Sequence, residues 1–141
     1  MFWTIIIFLL MLSVLVLVHE WGHYFMAKRI GCKVEEFGLG FPPKAYTWKG
    51  KDGMIWSLNW IPLGGFVRVK GEGGDHRGDK DSVGNKSLIA RFAVLFAGVF
   101  MNMIAAAVLL GLAFGIGIPT IVEGDFGDSA IISDTELMIT Q

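Results

Sequence analysis

The sequence predicts a membrane α-helical fold with inserted β structure: two transmembrane helices joined by an antiparallel β element on one side of the bilayer. Three observations carry this. The chain of 141 residues is 53% hydrophobic, with a mean hydropathy of +0.56, and the excess sits in two runs. Met1–Val18 is polar only at Thr4 and Ser13, and Phe92–Ile118 only at Asn102; about 18 to 20 such residues cross a ~30 Å hydrocarbon core. Between the runs, short aromatic or β-branched stretches alternate with Gly and Pro, the pattern of strands and turns. Finally, all 12 Lys and Arg residues lie between Lys28 and Arg91, whereas Glu123, Asp125, Asp128, Asp134 and Glu136 follow with no base among them. Short loops keep positive residues on the cytoplasmic side. The N-terminus and the tail are therefore expected outside and the loop 31–87 inside.

The first helix is expected over 1–31, running from near Phe2 to about Ile30 with Gly31 as its C-terminal stop and Lys28 and Arg29 favourable in its last turn. A cleaved signal peptide would want a basic start and a small-residue cleavage site. Nothing basic precedes this run, and HEW follows it. Residues 32–71 form the β-rich element. KVEEFGLGF, AYTWKG, MIWSLNWIPL and GFVRVKG are its four candidate strands, with a turn at Gly50-Lys-Asp-Gly53. Alternation in the third sets Trp56, Leu58 and Trp60 on one face and Ile55, Ser57, Asn59 and Ile61 on the other. Two placements fit this tryptophan-rich sheet: a soluble unit with a buried aromatic face, or a sheet dipping into the membrane with its aromatics at the interface.

Residues 72–86 are polar and Gly-rich, a mobile linker by composition, with His76 solvated between Asp75 and Arg77. The second membrane helix is expected over 87–118, started by Ser87, with Arg91 reaching the inner surface, and stopped by Pro119. Gly111 and Gly115 form a G-x-x-x-G pair on it. Residues 119–141 are an extracytoplasmic tail, mixed in composition and strand-like at its start. A net charge of −1, with bases interspersed among acids, gives no reason to expect a nucleic-acid partner; the lipid bilayer is the expected one. Cys32 is the single cysteine, so neither a disulfide nor a thiolate zinc site is expected. The sequon Asn85-Lys-Ser87 falls in the cytoplasmic loop and is discounted.

The chemistry lies in LVLVHEWGHYF, where His19, Glu20 and His23 close an apolar run. Ionisable groups at membrane depth are costly and are usually functional. Histidines four apart share a helix face, so both imidazoles can reach one metal at about 2.0–2.1 Å. Glu20, one step round, is placed to take a proton from a water at that metal. Two histidines without thiols favour Zn2+. A catalytic zinc normally has three protein ligands. Asp125 and Asp128 lie on the far side by the charge argument, and Cys32 and His76 lie in loops, so none is a convincing third.

HEWGHYFMAKRIGCKVEEFGLGF (19–41), IPLGGFVRVKGE (61–72) and NKSLIARFAVLFAGVFMN (85–102) resemble, in this order, the conserved stretches of the site-2 protease family of intramembrane zinc metalloproteases, in its bacterial regulator of sigma-E branch. The resemblance implies an enzyme of the bacterial inner membrane that hydrolyses peptide bonds within or near transmembrane segments, as in regulated intramembrane proteolysis of an anti-sigma factor. It implies that His19 and His23 bind zinc and that Glu20 is general base and then acid. It also implies a membrane-reentrant sheet that guides an extended substrate, and it aligns Asn102 with an asparagine near the active site, in a substrate-binding role. Val99 stands where the family often has proline. The third ligand in the family is an aspartate of an Asp-Gly motif on a later membrane helix, expected from a C-terminal half of the same protease. The tail resembles the opening of a PDZ domain. The chain is thus expected to be an N-terminal catalytic piece, inactive alone. The competing readings are a membrane-bound H-E-x-x-H peptidase working in the cytoplasm, and a catalytically incomplete scaffold with a partial metal site.

Overall fold

The structure is a computed structural model that describes residues 1–76 and 78–117. Its elements follow in the order α1 (Phe2–Arg29), β1 (Val34–Lys49), β2 (Ile55–Val69), a 3-10 turn (Val83–Asn85) and α2 (Leu88–Ile116). Both helices are long and apolar enough to cross a membrane, as their composition predicted. α1 ends where Gly31 enters the left-handed region at φ 72°, and the Cys32 N–H returns to the Ala27 carbonyl at 2.9 Å. α2 begins at Ser87, whose hydroxyl accepts from the Ala90 N–H at 3.3 Å. The tail, the PDZ resemblance and the Pro119 stop lie outside the described residues.

The four expected strands merge into two long bent ones. β1 and β2 pair antiparallel, with Val34 opposite Val69 and Lys49 opposite Ile55. The bend lets Glu36, Phe37, Gly38 and Leu39 pair twice, once with residues 65–68 and once with 55–58. Segment 34–39 is therefore central, and 65–69 is an outer edge. That edge lies along α1. The Ser13 hydroxyl donates to the Pro62 carbonyl at 3.2 Å, and a side chain at Gly64 or Gly65 would collide with Val16 or Leu17. The paired glycines are what let strand and helix approach so closely.

The faces of the sheet also differ from a simple aromatic core. Phe37 is fully buried and Trp56 half-buried against Trp21 and Tyr24 of α1. Beyond that, Ser57 and Asn59 are buried while Tyr46, Trp48, Leu58 and Trp60 are exposed. The polar side is inward because Asn59 braces the bend, its amide donating to the carbonyls of Leu39 (3.2 Å) and Gly40 (3.0 Å). Glu36 is buried as well, and Lys44 lies 2.6 Å from its carboxylate, with Arg68 at 3.6 Å.

The segment expected as a mobile linker is tied to the sheet. The Lys33 N–H meets the Asp81 carbonyl at 2.8 Å and the Val83 N–H meets that of Lys70 at 2.9 Å. The Lys70 ammonium sits 2.8 Å from both Asp79 and Asp81. Gly111 and Gly115 have no described atom within 4 Å of a built Cβ. The close helix–helix approach is elsewhere: a Cβ on Gly22 of α1 would strike the Ala97 carbonyl of α2.

Candidate active site

The crossing at Gly22 and Ala97 sets the face of α1 that carries His19 and His23 against α2. Their rings stand edge to face, with centroids 4.7 Å apart, as a separation of four on one helix dictates. Each ring is fixed from α2. His23 Nδ1 lies 2.7 Å from the Val94 carbonyl. A carbonyl only accepts, so Nδ1 carries the proton and Nε2 keeps its lone pair. His19 Nδ1 lies 3.4 Å from the Asn102 amide. Both Nε2 atoms face Gly98, where a Cβ would sit 2.6 Å from each. Only glycine leaves that space open.

Glu20 is oriented from the sheet. One carboxylate oxygen accepts from the Val67 N–H of β2 at 3.0 Å. One ligand atom each from His19, Glu20 and His23 lie within 4.8 Å of one another. The donor set therefore suits a borderline-soft divalent cation: two preoriented imidazole nitrogens, an acidic oxygen and a glycine-cleared space.

Cavities flank the site on two sides. One, of about 550 Å³, is lined by Glu20 and His23 together with Phe66, Glu72 and Arg91. The other, of about 370 Å³, lies among Leu12, Leu15, Val16, His19 and Asn102. Arg91 donates to the carbonyls of Lys86 and Gly84. The remaining sequence candidates stay apart from the site. His76 faces Asp75 and Asp79 in the exposed loop. Cys32 is buried, and burial pushes its thiol above the usual range. The contributions of Val94, Gly98 and Val67 were not anticipated. Two of them act through backbone atoms and one through the absence of a side chain, and the glycine pair that the sequence singled out, Gly111 and Gly115, lies elsewhere on α2.

The profile of peptidase family M50 matches residues 7–140. The chain belongs to this family. Among its relatives, the regulator of sigma-E protease RseP of Escherichia coli is 32% identical over 140 residues, 96% of this chain and 31% of that protein. Protease RseP of Yersinia pestis is 31% identical over the same share. A Clostridium acetobutylicum protein named as a zinc metalloprotease is 40% identical over 123 residues, 85% of this chain and 36% of its own length. The chain thus spans about a third of the length of these relatives. The M50 match covers α1 from residue 7, the whole β element and α2, so the site just described lies within the family-matched part.

Proposed function

We propose that the chain carries the zinc-binding part of an intramembrane metalloprotease that hydrolyses peptide bonds within or near transmembrane segments of other proteins, an anti-sigma factor being the substrate type that the resemblance to the regulator of sigma-E branch implies. The observation that carries this reading is the convergence of His19 and His23 Nε2 on Gly98, beside a glutamate held by a strand N–H. His19 and His23 hold the zinc. The third protein ligand is an aspartate from a later membrane helix of the same protease, as the short span relative to its relatives allows. In this topology the N-terminus and the tail are extracytoplasmic and residues 31–87 face the cytoplasm.

Zinc, when bound, supplies Lewis acidity that polarises a scissile carbonyl and makes water a competent nucleophile near neutral pH. The chain's own residues do the rest. Glu20, anchored through one oxygen by Val67, takes the proton of the attacking water on the other and returns it to the leaving amine. A helical peptide bond has its carbonyl already bonded within the helix, so the substrate has to unwind. Outer segment 65–69 borders the 550 Å³ cavity beside Glu20 through Phe66, Val67 and Val69, so an extended segment in that cavity can lie alongside the strand while the Val67 N–H stays with Glu20. The exposed Tyr46, Trp48 and Trp60 favour a sheet that enters the membrane from the inner side.

In the full-length protease, Glu20→Gln is expected to bind zinc within a few-fold of wild type while cleavage of a transmembrane substrate falls by ~10²-fold or more. Cleavage near the wild-type rate removes Glu20 from the mechanism. A total loss of zinc binding by His19→Ala and His23→Ala, each read by metal content, checks the ligand assignment. Wild-type metal content in both variants overturns it.

A further inference from the structure

We propose that Asn102 is a positioning residue for His19: its carbonyl oxygen accepts the His19 Nδ1–H and thereby holds Nε2 as the lone pair that faces the metal. This deepens the zinc reading of the site and rests on it. Asn102 is the sole polar side chain of the apolar run Phe92–Ile118, and it reaches across from α2 to stand 3.4 Å from His19 Nδ1. No other described side chain meets that ring nitrogen. The amide as placed turns its nitrogen toward His19 and leaves its buried oxygen without a hydrogen-bond partner among the described residues.

Amide nitrogen and oxygen differ by a half-turn about the last torsion of the side chain, so their assignment follows from the bonding network. With nitrogen toward His19, the amide donates to Nδ1 and the ring proton must sit on Nε2, pointed at the space shared with His23. With oxygen toward His19, the proton sits on Nδ1 and Nε2 is bare. His23 is already in that second state, fixed by the Val94 carbonyl, and its Nε2 shares the Gly98 space with His19 Nε2. Two ligands to one cation both need bare nitrogens, so the site is consistent only with the oxygen toward His19. A backbone carbonyl then orients one histidine and a side-chain carbonyl the other. The amide hydrogens remain for the 370 Å³ cleft that Asn102 and His19 line together.

The test compares Asn102→Asp, which only accepts, with Asn102→Leu, which does neither. Zinc affinity of the full chain in detergent is read by competition with a chelator, and the ring tautomer by ¹⁵N resonances of labelled histidine. Asn102→Asp is expected to stay within a few-fold of wild type, and Asn102→Leu to bind ~10- to 100-fold more weakly. His19 is expected to be protonated at Nδ1 in wild type and in Asn102→Asp. Equal weakening in both variants, unchanged affinity in Asn102→Leu, or a proton on His19 Nε2 in wild type overturns the proposal. If Asn102→Leu does not fold, Asn102→Ala against Asn102→Asp gives the same contrast. Unaltered zinc affinity with a raised KM in the full-length protease assigns Asn102 to substrate contact instead. Tight zinc binding without any proteolysis would remove the protease reading and leave the Asn102 assignment standing.

Discussion

A missing side chain does as much at this site as the ionisable ones. Gly98 lies where any Cβ would sit 2.6 Å from both His19 Nε2 and His23 Nε2, tighter than real carbon contacts permit. Gly98→Ala is therefore expected to swing at least one imidazole away and weaken zinc binding by on the order of tenfold or more. The helices are expected to stay paired, as helix content by circular dichroism would report. Wild-type affinity in Gly98→Ala would place the metal away from the α1–α2 seam. His19, Glu20 and His23 were legible in the sequence because a spacing of four fixes their common face whatever the fold around them. Val94, Gly98 and the Val67 N–H were not, since each acts across 47 or more positions of chain: 71 for His23 to Val94 and 47 for Val67 to Glu20.

At the level of elements, the helices followed from composition and capping residues, and the β region only in part. Gly and Pro marked its bends correctly, but those bends lie inside two continuous strands. The inward turn of Ser57 and Asn59 depended on backbone carbonyls at Leu39 and Gly40 that no periodicity displays. Glu36 is the clearest case of a buried charge made tolerable by its neighbours. Burial pushes its carboxyl up, yet Lys44, the Ser57 hydroxyl and Arg68 together hold it below its ordinary 4.5. A carboxyl depressed in the folded state stabilises that state above its ordinary value, and the benefit disappears as the pH falls through the lower folded value. Glu36→Gln is thus expected to loosen the sheet at neutral pH by about 1–3 kcal/mol. Wild type and variant are expected to converge once the pH falls below the lowered Glu36 value, read by hydrogen exchange of the strand amides. A gap that persists at that pH would mean that shape, not charge, holds the bend.

For the molecule as a whole, the site is the place where α1, α2 and β2 meet: His19 and His23 from one helix, Val94, Gly98 and Asn102 from the other, and Val67 from the strand. A ligand that binds only this assembled arrangement stabilises it by mass action, about 2.7 kcal/mol at a hundred times its dissociation constant. Zinc is expected to raise the melting temperature in detergent and a chelator to reverse the gain, with no such response in His23→Ala. Equal melting with and without zinc in wild type would separate the metal from the fold. The hairpin tip is tied to the inner end of α1 by Lys28 and Asp52, 2.5 Å apart, while Pro62 meets Ser13, fifteen residues and about 22 Å up the helix. In the proposed placement, with α1 across a bilayer, the bend of the sheet would lie deep among acyl chains, where each bare amide hydrogen costs several kcal/mol. Three of the chain's four prolines, Pro42, Pro43 and Pro62, stand there, and Phe41 and Ile61 pair beside them. Proline brings no amide hydrogen. In that placement the turn would suit lipid by removing donors rather than by finding them partners.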